Sequence, residues 1–305
     1  MQADSFKHWI DLERAGNNFD LTDYLPSGPC VVFHYTSPDA FLSIMNDGKL
    51  RFTDRNYLND TSEGKYIFDL CLENSKTICE GYEAYEQGFV EACMEMKSRF
   101  EEIRLVYQCS FSTDPDSLCL WNYYTRGNSI QGYSLGFSGN SLFSSLVNNG
   151  KYHVNMGKVV YSKEKQLEIL RKATCLFFEL HKRGIDKEPP IPERKMLEIL
   201  QYRLYLLGHF FKQKYFEVEN EFRITLVALT ATDDSKKEEL NFFNRNGVMV
   251  PYIDICLEPS VLKSIRVSPT MNGTRAKDGA FMLSRKKFDQ LTKADIMMSK
   301  IPLRY

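Results

Sequence analysis

The stretch CVVFHYTSPDAFLSIMNDGKLRF at residues 30–52 constrains the fold most, because it specifies a strand, a helix start, a helix stop and a second strand in succession. CVVFHY is a short apolar run of β-branched and aromatic residues, the pattern of a buried strand. Ser37 is a favoured N-cap, Pro38 suits the first helical position, and Gly48 supplies the left-handed residue after the last turn. A helix is therefore expected over 38–47, and KLRF resumes the extended chain. His34 and Tyr35 close the first strand beside a helix N-terminus, where a pyrophosphate-bearing ligand can dock. Adjacent strand positions face opposite ways, so both line one pocket only if the strand bulges or ends there.

Beyond this unit, a short amphipathic helix is expected at the N-terminus. Helical spacing recurs over 62–104, interrupted near Gly81. Strands are expected at LVYQCSFS, GYSLGFS and KYHVNMGKVVYS, with a short helix around LCLWNYY. Helices at about 163–183 and 192–214 flank KEPPIP, whose prolines forbid one continuous helix. FRITLVAL, VMVPYIDICL and KSIRVS read as later strands, and KKFDQLTKAD as a late helix. Strands and helices mix without regular alternation, so the fold class is α+β. Residues 1–305 read as a single domain, with core strands at about 30–53, 105–162 and 219–270 and helical insertions at about 62–104 and 163–214.

Charge narrows the function. With 39 basic and 40 acidic residues, no global field draws the chain to nucleic acid or a membrane surface, so any nucleic-acid site must be local. Lys49, Arg51, Arg55 and the run Arg285, Lys286, Lys287 are candidates, although such groups are commonly solvated faces. The eight cysteines form no C-x-x-C pair and read as reduced thiols. No signal peptide or membrane span is evident, which points to a cytoplasmic protein without a membrane partner. Neither a G-x-G-x-x-G nor a P-loop pattern occurs.

Several residues carry candidate chemistry. His34 is either a hydrogen-bonded core residue or a ligand contact. Trp121, Tyr123 and Tyr124 form either a core face or a stacking wall, and Asn122 among them favours the wall. In FEVENEFRIT, an extended chain would place Glu217, Glu219, Glu221 and Arg223 on one face, with Arg223 able to neutralise a carboxylate. Asn59 and Asp60 read as a turn, with Tyr57 projecting beside the first strand.

FHYTS, RNYLNDTSEG, LCLWNYYTRGNSIQGYSLGF and EVENEFRITL, in this order, resemble a widespread bacterial family of domains of unknown function. KSIRVSPT is similar to the family's closing strand, with Ser268 where Gly is usual. That family in turn resembles, more distantly, the ADP-ribosyltransferases of the His-Tyr-Glu type. The resemblance implies a mixed or antiparallel β core with helical insertions, NAD as substrate, and no metal. It implies that His34, with Tyr35 and Thr36, binds the adenosine ribose, and that Tyr57 stacks on nicotinamide, with Trp121 or Tyr124 competing. Glu221 would act on the nicotinamide ribose and Glu219 orient the acceptor, while Ser110, Ser112 and Thr113 loosely represent the middle strand's Ser-Thr-Ser. The partners implied are NAD, a macromolecular acceptor (RNA, DNA or protein) and a neutralising antitoxin protein, as for a toxin-like or phage-defence effector. Two other readings stand beside it: a nuclease-like hydrolase holding Mg²⁺ with Glu219, Glu221 and Asp60, and a catalytically silent nucleotide- or partner-binding module.

Overall fold

The computed structural model describes residue 25 and residues 31–58, 64–100, 106–124, 131–148, 151–184, 192–228, 240–269 and 272–303. The N-terminal helix, Asn59, Asp60 and most of KEPPIP lie outside these residues. The opening unit follows its sequence signals. Strand β1 (Val31–Thr36) leads to helix α1 (Pro38–Asp47) and strand β2 (Lys49–Asp54). The Ser37 hydroxyl accepts from the Ala40 amide, and Gly48 at φ 63° returns its N–H to the Ile44 carbonyl.

Helices α2 (Tyr66–Glu73), α3 (Ser75–Ile78) and α4 (Glu86–Arg99) precede strand β3 (Val106–Ser112). Helix α5 (Leu118–Tyr124) falls on LCLWNYY, and strand β4 (Tyr133–Ser138), helix α6 (Gly139–Asn148) and strand β5 (Tyr152–Lys158) follow. Helices α7 (Lys163–Gly184) and α8 (Glu193–Gly208) lead to a 3-10 turn at Lys214–Glu219 and strand β6 (Glu221–Ala228). Strands β7 (Asn241–Arg245), β8 (Val248–Cys256) and β9 (Leu262–Val267), helix α9 (Gly273–Ser284) and strand β10 (Ile296–Met298) complete the described chain. The late helix lies earlier than KKFDQLTKAD, which forms turns and a short 3-10 segment at Lys293–Asp295. Its N-cap is Asn272, whose side chain accepts from the Arg275 amide.

This is an α+β fold built on a mixed, mostly antiparallel sheet in the order β10-β9-β4-β1-β3-β2-β8-β7. The sheet forks at β3. One edge of β3 pairs with β6 along its whole length, and β6 pairs in turn with β5. The other edge is shared: β2 holds its start (Thr53 opposite Gln108), and β1 holds its end (Phe33 opposite Ser112).

Strand alternation then assigns the two faces. Val32, Cys109, Phe111, Phe222 and Ile224 face a core closed by α1, α6 and α9. Val106 and Val227 face a second core made by α2, α3, α4, α7 and α8. Both cores are largely apolar, and burial of their side chains is the main stabilising term. On the second face, at the β1 end of the fork, Tyr35 packs with Leu120 and Trp121 of α5. No helix among the described residues is long and apolar enough to cross a membrane.

Candidate functional site

At the mouth of the fork the sheet opens into a shallow, solvent-open cleft. Phe33 and Tyr35 enter it from β1, Ser110 and Ser112 from β3, and Glu221 from the start of β6. Leu120 and Tyr124 of α5 form a wall, and Glu219 stands at the rim. The register explains the grouping: Phe33 lies opposite Ser112, Ser112 opposite Glu221, and Ser110 opposite Arg223, so one face carries them all.

Glu221 is the electrostatic anchor. Its side chain is 5% exposed, and Arg223, fully buried, donates Nε to Oε1 at 2.7 Å and Nη2 to Oε2 at 2.8 Å. Lys212 Nζ lies 2.9 Å from Oε2, and the Ser110 hydroxyl also bonds the carboxylate. Burial alone would raise the Glu221 pKa, but Arg223, Lys212 and the Ser110 bond outweigh it and hold the group at about 2. Glu221 is therefore ionised at neutral pH, and four donors occupy its oxygens.

Glu219 is placed differently. Glu217 and Glu219 belong to the 3-10 turn, and Asn220, left-handed at φ 43°, breaks the chain before β6 begins. The expected single face of three glutamates is thus corrected: only Glu221 and Arg223 share a strand face. Asn tolerates this backbone because its side chain is short and polar. The Ser112 hydroxyl donates to the Glu219 carbonyl at 2.8 Å, and the Thr113 amide donates to the Asn220 carbonyl at 2.9 Å, fixing the turn. The Glu219 carboxylate meets the same Lys212 Nζ at 2.8 Å through Oε2.

The aromatic candidates separate. Tyr35 is buried, and its hydroxyl donates to the Asp114 carbonyl and accepts from the Ser117 amide, both at 2.8 Å. Burial pushes this phenol's pKa up, so it stays neutral. Trp121 is fully buried behind Tyr35, ring centroids 4.7 Å apart and edge-on, with Nε1 donating to Asp116. Trp121 thus supports the wall, and Tyr124, 43% exposed, is the ring of α5 that lines it.

Besides Trp121, three expected ligand contacts are not brought into the cleft. His34 and Thr36 lie on the opposite face of β1 from Tyr35, as strand alternation requires. His34 Nδ1 meets the Ser110 carbonyl at 3.0 Å, where β1 and β2 part and leave Ser110 without a strand neighbour on that edge. Its ring packs against Phe111, and burial lowers its pKa, so the neutral ring donates from Nδ1. Tyr57 lies in the 3-10 turn Arg55–Tyr57 after β2, toward the start of β3. At ~3.3 Å per residue along β3, that is more than about 15 Å from Ser112. Its carbonyl accepts from Arg245.

Two further residues matter that the sequence did not single out. Lys212 lies seven residues before Glu219, but nothing in KQKYFEVENEFR marks it rather than Lys214 as the partner. Asp116 accepts from Trp121 Nε1, from the Ser299 hydroxyl at 2.6 Å and from the Lys300 amide at 2.7 Å, tying the chain after β10 to the back of the wall. Among the basic candidates, Arg55 is buried, with Nη2 on the Phe100 carbonyl at 2.6 Å and its guanidinium over the Phe100 ring. Arg51 lies over the Tyr252 ring, its guanidinium 4.0 Å from the centroid, on the face of β2 and β8.

Fold and site together define an α+β protein with a forked sheet and a charged, aromatic-walled cleft at the fork. Residues 120–224 match the profile of DUF2971, a protein family of unknown function, so a domain of that type is found over this span. The matched span holds Tyr124, Lys212, Glu219, Glu221 and Arg223, while β1 and β3 precede it. Comparison with curated proteins and with solved structures finds no match.

Proposed function

We propose that the chain is an NAD-dependent ADP-ribosyltransferase acting inside the cell on a macromolecular acceptor. The observation that carries this reading is the convergence of two carboxylates, one of them ionised down to about pH 2, on a single aromatic-walled cleft. Cleaving the nicotinamide–ribose bond releases nicotinamide with the bonding electron pair and leaves an oxocarbenium-like sugar; fixed negative charge nearby stabilises it. On this reading the nicotinamide end of NAD would lie over the open face of the cleft, with Tyr124 against the ring.

The roles carried over by the resemblance shift accordingly. Glu221 anchors the cluster rather than meeting substrate, since Arg223, Lys212 and Ser110 fill its oxygens. Glu219, at the rim, is the carboxylate a ribose hydroxyl or an incoming nucleophile meets. The exposed side chains of Tyr123 and Tyr215 stand on two elements packed side by side at the mouth, which supports a large acceptor. The hydrolase reading finds less support, because Lys212 occupies the point between Glu219 and Glu221 where Mg²⁺ would sit. Incubation with labelled NAD and whole-cell RNA, DNA and protein tests the proposal. Label should enter one acceptor class; NAD left intact in all three arms overturns it.

A further inference from the structure

The basic residues singled out in the sequence take no part in the cleft, yet two groups of them meet. Lys49 and Arg51 open β2, and Lys286 and Lys287 follow the end of α9. The Lys287 side chain packs on Gly48, where a Cβ would lie 3.7 Å from its Cδ, and Lys286 Nζ donates to Asn46 Oδ1 at 2.9 Å. The turn before β2 thus gathers both groups. All four side chains are exposed, and among the described residues none has a carboxylate partner. Exposed cations of the helical layer differ: Lys97 pairs with Asp69, Lys163 with Glu73 and Arg171 with Glu80.

The sheet face that runs on from Lys49 is open. Leu50 and Phe52 turn into the core beneath α1, so Lys49, Arg51 and Thr53 turn outward. Register places Tyr252 of β8 opposite Thr53 and Asn241 of β7 opposite Tyr252, with Phe243 and Arg245 at alternate positions on the same face. The Arg51 guanidinium lies 4.0 Å from the Tyr252 ring centroid and 4.9 Å from that of Phe243, and Arg245 lies 5.2 Å from Phe243. Cations and rings therefore interleave across three strands. Asp254 lies opposite Arg51, and Asp47, Glu258 and Asp289 flank the turn at Gly48, so the excess of positive charge is small. The rings must carry as much of any binding as the charge.

We propose that the outer face of β2, β8 and β7 binds single-stranded nucleic acid, with Lys49 and Lys287 on phosphates and bases stacked on Arg51 and Phe243. A single strand presents phosphates and unstacked base faces together, and aromatic rings and guanidinium planes are what such bases stack on. A duplex hides its base faces, and a lipid surface offers phosphates alone. The inference stands whether or not the cleft turns over NAD. With Lys49, Arg51 and Lys287 each neutralising a phosphate, log affinity should fall against log salt with a slope of about −2, roughly a twentyfold loss between 50 and 200 mM.

The test is fluorescence anisotropy of labelled oligouridylate and oligothymidylate, each of about 12 nucleotides, and of a duplex of equal length, titrated with the whole chain at both salt concentrations. Single strands should bind at least tenfold more tightly than the duplex, with the salt loss given above. Whichever strand binds more tightly, RNA or DNA, identifies the natural ligand. Lys49→Glu with Lys287→Glu, both exposed and so expected to fold, should weaken binding at least tenfold and flatten the salt dependence. Lys76→Glu, an exposed reversal of the same charge on α3, should stay within twofold of wild type. Arg51→Lys keeps the charge without the plane and should weaken binding at least threefold at an unchanged salt slope. Thermal unfolding of each variant checks that the fold is kept. Absence of binding to either strand at 50 mM salt, or wild-type affinity in the double charge reversal, overturns the inference. So does a duplex bound as tightly as the single strands, or wild-type affinity in Arg51→Lys, because stacking would then contribute nothing. Binding to phosphatidylserine vesicles that the double reversal abolishes, with neither oligonucleotide bound, would make the face a lipid site and overturn it as well.

Discussion

Replacing Glu221 by glutamine isolates the pair on which the cleft is built. The carboxyl moves from an ordinary value of 4.5 to about 2 in the fold. At ~1.4 kcal/mol per pH unit, that difference favours the folded state by about 3 kcal/mol at neutral pH. Because the folded value is depressed, this stability is fully present above about pH 4.5 and is lost as pH falls from there toward 2. Glu221→Gln removes it and leaves the fully buried Arg223 facing a neutral amide. Breaking a buried pair from one side typically costs ~3–5 kcal/mol, which agrees with the titration figure. Urea unfolding of wild type and variant at pH 7, 5, 4 and 3 reads both quantities. The variant should be less stable by about 3–4 kcal/mol at pH 7, and the gap should narrow below pH 4.5. Replacing Glu221 and Arg223 together by methionine should recover part of the loss, because no unpaired charge remains. A variant within 1 kcal/mol of wild type at pH 7, roughly the worth of a surface pair, or a gap that does not change with pH, would mean that Glu221 and Arg223 do not form a stabilising buried pair.

Three other outcomes follow from the geometry. His34→Ala should lower stability by about 1–3 kcal/mol through the lost Ser110 carbonyl bond, with ligand affinity intact, checked by thermal unfolding alongside NAD calorimetry. Since the buried ring's pKa is lowered, its contribution should also fade as pH drops below the unfolded value of 6.5, which the same unfolding runs at pH 7 and 5 would detect. Tyr124→Ala should weaken NAD binding by about 1–2 kcal/mol with Tyr124→Phe nearly neutral, whereas Tyr57→Ala should leave binding unchanged in the same titration. Asp116→Ala should destabilise by about 2 kcal/mol, because Trp121, Ser299 and Lys300 lose their acceptor at once; urea midpoints at constant slope measure it.

Local signals were legible where one residue type suffices for one backbone task. Ser37, Pro38 and Gly48 bounded α1, and the apolar runs of β1, β3 and β4 emerged in the expected places. Helix α9 did not, because GTRAKDGAF carries two glycines and little apolar periodicity, while KKFDQLTKAD mimics a helical charge pattern. Alternation in EVENEFR held only from Glu221 onward, since the left-handed Asn220 resets the direction of the chain. The fork could not be read from the sequence: it depends on which strands share the edge of β3, a long-range choice. That choice leaves Tyr57 by the start of β3, away from the cleft, and turns His34 into the donor that closes the gap. Lys212 was hidden for a local reason: the 3-10 turn at Lys214–Glu219 and the left-handed Asn220 bring it back to Glu219 and Glu221, and Lys214 beside it carries the same charge.

The most direct test is the rate of nicotinamide release from NAD by wild-type protein and by Glu219→Gln, measured with thermal unfolding of both. Glu219 sits at the rim and its loss removes no fully buried charge, so the two should unfold within a few degrees of each other. Steady release by the wild type and a fall of at least about a hundredfold in the variant are expected. Release at equal rates from two equally stable proteins, or none from the wild type, would contradict the transferase reading.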